Sequence, residues 1–159
     1  MKHLLTSILL AATFTATAQC DMVTTETDRM TGRTTTSSVN YITMSSDGID
    51  GIALMFIASE KTVSLYATVF GPSSCIDDKA KMYILFTDGT KTTLTNSIKF
   101  NCENRFARIW FNRKDPQIAE LLSKRIEAIR VETYKGSVTE EMTPEQADTF
   151  AETLRCVTN

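Results

Sequence analysis

The chain predicts an α+β domain: a mostly antiparallel, strongly twisted sheet of about seven or eight strands, with two helices and disulfide bonds. Three observations carry this. Short segments between residues 52 and 138 alternate apolar and polar side chains with the period of a strand. The dipeptide Asp88-Gly89 separates two such segments, and its backbone tolerates the positive φ of a tight hairpin turn. Segments opening at Pro116 and Pro144 repeat their apolar residues three and four apart, as one buried helix face requires.

The first element is a secretory signal. Met1 to His3 make a short basic start, Leu4 to Phe14 is apolar apart from small hydroxyl residues, and Thr15 to Ala18 are small. A charged start, a short apolar run and an A-x-A exit place the cut after Ala18, with Gln19 as the new N-terminus. The run is too short for the ~20 residues of a membrane span. Residues 1–18 are thus the signal peptide and residues 19–159 a single globular domain, which works secreted or in the periplasm. A lipid anchor on Cys20 is the alternative; Gln19 stands where a lipoprotein signal prefers a small residue.

Thr24 to Thr36 reads as two exposed, threonine-rich strands around Thr31-Gly32. Residues 45–51, SSDGIDG, form a turn cluster. Ile52 to Ala58 is a continuous apolar run, like a central strand, and Val63 to Val69 alternates after the turn at Glu60-Lys61. GPSS then breaks the chain. Residues 80–94 are the Asp88-Gly89 hairpin, and residues 105–111, RFARIWF, give another strand. Asp115 caps a short helix that carries Ile118, Leu121 and Leu122 inward. Ile126 to Tyr134 is a strand, Lys135-Gly136 turns it, and Val138 begins the return. Thr143 and Gln146 have the spacing of a capping box. Ala147, Phe150, Ala151 and Leu154 then form an apolar stripe that packs on the sheet.

Composition excludes several functions. Removing Lys2 with the signal leaves 16 basic residues (17 − 1) against 19 acidic ones. A mildly acidic chain of interspersed signs has no electrostatic footprint for nucleic acid. The single histidine is His3, within the signal, so the processed chain holds no imidazole. This rules out Ser-His-Asp and Cys-His nucleophiles and histidine zinc sites. No metal or cofactor is expected.

Three segments carry a resemblance: DRMTGR (28–33), IDDKAKMYILFTDGTKTTL (76–94) and IEAIRVETYKGSVTEEMTPEQADTF (126–150). They resemble small secreted proteins of Bacteroidota bacteria in the D-x-x-T-G start, the D-K-x-K strand with its D-G hairpin, and the I-R-V-x-T strand before a C-terminal helix. The resemblance implies export and fold, and it implies no site residue. The cysteines lie outside the three motifs.

Candidate site residues are few. Asp47 and Asp50 suggest a calcium loop but lack the EF-hand spacing, and read as a turn. Asp77-Asp78 and Glu140-Glu141 are adjacent, and adjacent strand residues face opposite ways, so neither pair is an acid–base couple. Ser73, Ser74 and Lys79 lack the S-x-x-K spacing. No catalytic residue is therefore assigned. The strand at 105–111 is more informative. Period two puts Ala107, Ile109 and Phe111 on one face and Phe106, Arg108 and Trp110 on the other. An aromatic–arginine–aromatic row is what contact surfaces are enriched in. The competing reading covers this face with a helix and makes the row core.

Four cysteines and export imply two disulfides. Cys75 and Cys102 lie equally far from the Asp88-Gly89 turn, so a regular hairpin sets them opposite each other. Cys20 and Cys156 remain as the second pair. The sequence thus describes a non-catalytic binding module for an envelope protein or a glycan. The alternative is a small hydrolase using carboxylates alone, such as a glycosidase.

Overall fold

The computed structural model describes residues 20–72, 75–103 and 105–159. The signal segment and its cut lie outside these residues, as do Ser73 and Ser74. In order, the elements are β1 (Val23–Thr27), β2 (Thr34–Ser38), β3 (Ile42–Met44), β4 (Gly51–Ser59), β5 (Thr62–Phe70), β6 (Lys81–Phe86), β7 (Lys91–Thr95), β8 (Phe106–Asn112), α1 (Pro116–Ser123), β9 (Ile126–Thr133), β10 (Gly136–Glu141) and α2 (Pro144–Thr158).

The strands form two sheets rather than one. The first runs β1-β2-β4-β5-β8, with β3 also paired to β4, and the second runs β10-β9-β6-β7. Every pairing is antiparallel. The sequence predicts most strands because alternation is local. It does not predict that β6 joins β9 and leaves β5 to pair with β8, since those partners are far apart in the chain. The three-residue β3 has no sequence signal of its own.

Alternate residues of both sheets turn inward onto one core. Ile52, Leu54 and Phe56 of β4, Leu65 of β5, Ile109 and Phe111 of β8, and Met82, Ile84, Ile129 and Val131 of the second sheet are all buried there. Helix α2 closes this core from the inner side of the first sheet. Its Phe150 meets Phe56 edge-on, with centroids 5.0 Å apart, and Ala147, Leu154 and Val157 are buried with it. The capping box is complete: Thr143 N donates to Gln146 Oε1 (2.8 Å) and Gln146 N to Thr143 Oγ1 (3.2 Å). Asp115 caps α1 by accepting from Gln117 N at 3.0 Å. Gly51 is required by space. A Cβ there would lie 2.1 Å from the Phe70 ring and 2.5 Å from Met44 O.

The hairpin register departs from the expected one in an instructive way. Leu85 pairs Lys91 and Lys81 pairs Thr95, so the ladder is centred on Asp88. The loop therefore has three residues, with Gly89 left-handed at φ +78°, instead of a two-residue turn. One extra residue between Asn96 and Asn101 then shifts the pairing, so that Ile76 faces Asn101. The two departures compensate. Cys75 faces Cys102 and is bonded to it, with Cα atoms 4.2 Å apart.

This bridge stands where both connections cross between the sheets, β5 to β6 and β7 to β8. The second bridge joins Cys20 to Cys156 in the last turn of α2, with Cα atoms 5.7 Å apart. It occupies the thiol that a lipid anchor would need. Loop entropy makes the long bridge worth about 5 kcal/mol and the short one about 3.5 kcal/mol.

The D-x-x-T-G motif is a turn. Asp28 Oδ1 accepts from Met30 N (2.7 Å) and Thr31 N (3.2 Å), ahead of Gly32 at φ +67°. The Met30 amide does most to hold the Asp28 carboxyl below its ordinary range.

Candidate contact surface

Strand β8 divides its side chains as its alternation predicts. Ala107, Ile109 and Phe111 are buried, while Phe106 and Arg108 are half-buried and Trp110 is 48% exposed. The inward set packs in the core. The outward set lies on the far side of the first sheet, away from that helix.

Register shows what surrounds the row. Phe106 lies beside Thr68 and Ala53, Arg108 beside Tyr66 and Met55, and Trp110 beside Ser64 and Ile57. Met55, Ile57 and Tyr66 are half-buried. Three strands and three rows make a patch of about 300 Å² from strand and residue spacings. The continuous run Ile52–Ala58 reads as a central strand, and β4 is one, between β2 and β5. One of its faces is core and the other carries this patch.

The patch is ordered by its own contacts. The Tyr66 and Phe106 rings are tilted against each other with centroids 5.4 Å apart, and Arg108 Cζ lies 5.7 Å from the Tyr66 centroid. Arg108 Nε is sealed from solvent without a hydrogen-bond partner among the described residues. The backbone of Arg108 is tied down as well: its N–H donates to Asn96 Oδ1 (3.0 Å), and its carbonyl accepts from Ser97 N and Ser97 Oγ. The 96–97 segment thereby covers the outer edge of β8 at its middle, where an unpaired strand would invite edge-to-edge addition. What β8 offers is a face.

Beside the patch the outward positions of β2, β3 and the end of β8 are polar and uncharged: Thr35 and Ser37, Thr43, and Asn112. Phe70 continues the face at the end of β5, and Glu26 lies beyond Thr35 on β1. Arg108 is the one charged side chain among the outward positions of β2, β3, β4, β5 and β8. An apolar centre with a polar rim is the anatomy of a protein contact.

The remaining candidates are kept apart. Glu140 turns inward and is buried, while Glu141 is exposed on the opposite face. Asp77 Oδ1 accepts from the Asp78 amide at 2.7 Å. Asp47 Oδ1 accepts from Ile49 N (2.8 Å) and Asp50 N (2.9 Å). The Ile49 amide is the main reason its carboxyl is held low. Among the described residues no group of three or more His, Cys, Asp or Glu side chains is placed to hold a metal.

Comparison with family models, curated proteins and solved structures gives no match.

Proposed function

We propose that this protein is an extracytoplasmic, non-catalytic binding module whose contact surface is the outer face of the first sheet, centred on Phe106, Arg108 and Trp110. The carrying observation is that Met55, Ile57, Tyr66, Phe106 and Trp110 share a sheet face over which no helix lies among the described residues. Two disulfides support an oxidising compartment. No helix among the described residues is long and apolar enough to cross a membrane. The resemblance to small secreted Bacteroidota proteins agrees with export. The aliphatic content and flatness of the patch favour a protein over a glycan. Its area is that of a hot-spot centre, so the threonine-rich rim would complete the interface.

The test is capture from the envelope fraction of the producing cell, with the interaction then measured on the purified pair. Trp110→Ala should leave the fold intact and weaken binding by about 2 kcal/mol, roughly 30-fold. Arg130→Gln, on the other sheet, should bind as the unaltered protein does. Equal binding by the unaltered protein and Trp110→Ala would remove the row from the interface.

A further inference from the structure

The outer face of the second sheet holds a hollow of about 300 Å³, lined by Tyr83, Leu85, Lys91, Ala128, Arg130 and Thr139 among others. Its origin is a small residue among large ones. Ala128 lies beside Leu85 in the row below Tyr83 and Arg130, so the sheet surface dips there. Leu85 and Ala128 make an apolar floor, and the Tyr83 ring makes a wall.

The polar groups around the hollow are held in place. Tyr83 donates its hydroxyl to Glu132 Oε1 at 2.8 Å, and Glu132 Oε2 accepts from Lys81 N at 2.9 Å. That hydrogen bond to Glu132 is the main cause of a raised Tyr83 pKa, so the phenol stays neutral and fixed. Arg130 Nε donates to Thr139 Oγ1 at 2.8 Å. One end of the guanidinium is thereby anchored, and its two terminal nitrogens, without a hydrogen-bond partner among the described residues, form a planar fork. Lys91 adds a second cation from β7, next to Leu85. Glu141, exposed on β10 opposite Ala128, is the nearby counter-charge. With Lys81 and Glu132 of the adjoining row, three cations against two carboxylates leave a single positive charge over an apolar floor.

We infer that this hollow binds a small organic monocarboxylate: its carboxylate on the Arg130 fork, its apolar body on Leu85 and Ala128 against the Tyr83 ring. A concave apolar surface with a few fixed polar groups is what small-molecule sites share. A single net charge favours a monoanion over a phosphate dianion. The site is on the opposite sheet from the proposed contact surface and does not depend on it.

Titration of the isotope-labelled, disulfide-bonded protein with benzoate, followed by amide NMR, tests this. Benzoate should shift the Tyr83, Leu85, Ala128 and Arg130 amides along a saturating curve, with a Kd on the order of 1 mM as its size allows. Benzamide, its neutral counterpart, and inorganic phosphate should not produce those shifts. Arg130→Gln should abolish saturation. Thr139→Val keeps every charge but frees the guanidinium, and should weaken binding about threefold to tenfold. The same spectra report whether each variant is folded. Linear shifts with benzoate, equal shifts with benzamide, or unchanged binding by folded Arg130→Gln would each overturn the assignment.

Discussion

The outward faces of the two sheets are built from the same kind of strand and have opposite characters. On the second sheet, Lys81, Lys91, Arg130, Glu132 and Glu141 stand among Tyr83, Leu85 and threonines. Several of these groups are tied to one another: Lys81 Nζ donates to Thr95 Oγ1, Tyr83 to Glu132, and Arg130 Nε to Thr139. On the first sheet, the face around β8 carries five large apolar side chains and one guanidinium whose Nε has no partner among the described residues. The first arrangement is mainly polar, with a small apolar floor at Leu85 and Ala128. The second leaves apolar area and a sealed donor uncompensated, and a partner would relieve the apolar exposure. The lesson is that burial inside a domain and patterning on its surface are separate readings of one strand.

The largest expected effect separates the two sides of β8. Ile109→Ala, on the core side, should destabilise by about 2–4 kcal/mol through the cavity it leaves. Trp110→Ala, one residue away, should cost no more than about 1 kcal/mol. Urea unfolding measures both. Equal costs would show that Trp110 is structural and break the contrast between core and contact face.

A smaller effect, of opposite sign on the two sheets, comes from exchanging their arginines. Arg108→Met removes a sealed donor and puts an apolar chain in its place. It should range from neutral to about 1 kcal/mol stabilising, the lost contact with Tyr66 offsetting part of the gain. Arg130→Met loses the bond to Thr139 and should cost about 0.5 kcal/mol. Thermal denaturation of the pair decides. A destabilising Arg108→Met would mean that the guanidinium is better satisfied than its surroundings indicate.

The smallest effect sharpens the polar side of the comparison. In the β6–β7 turn the Thr90 hydroxyl and then the Thr90 amide, with Lys124 adding to them, hold the Asp88 carboxyl below its ordinary value of 3.8. A depressed folded-state pKa contributes stability that is complete above the unfolded value and is lost as pH falls through the folded one. The Tm difference between the unaltered protein and Asp88→Asn should therefore be present at neutral pH and shrink in strong acid. A difference that stays constant with pH would mean that Asp88 acts through turn geometry alone.

Much of this was legible in the chain because the signals are local. Asp115-Pro116 and Thr143-Pro144 mark both helix starts, and Asp88-Gly89 marks the hairpin. The alternation of residues 105–111 separates Ile109 from Trp110 before any partner strand is known. What the chain does not display is which strands meet. Met55, Ile57 and Tyr66 join the β8 row only through pairings made across the fold, and the apolar run of β4 hides its uncovered face. The hollow on the second sheet is hidden for the same reason. Leu85, Ala128 and Arg130 come from distant segments, and the small size of Ala128 matters only beside Tyr83.

The Cys75–Cys102 bridge has a consequence in time as well as in stability. β5 and β8 are sheet neighbours, yet the whole β6–β7 hairpin intervenes between Phe70 and Phe106. Closing the bridge shortens that path to about ten residues and lowers the closure entropy of the β5–β8 pairing by about 1 kcal/mol. Where this pairing is formed in the transition state, the oxidised chain gains about fivefold in folding rate. In a chain whose bridge is already closed, the hairpin holds its own neck together and β8 meets β5 as a near neighbour.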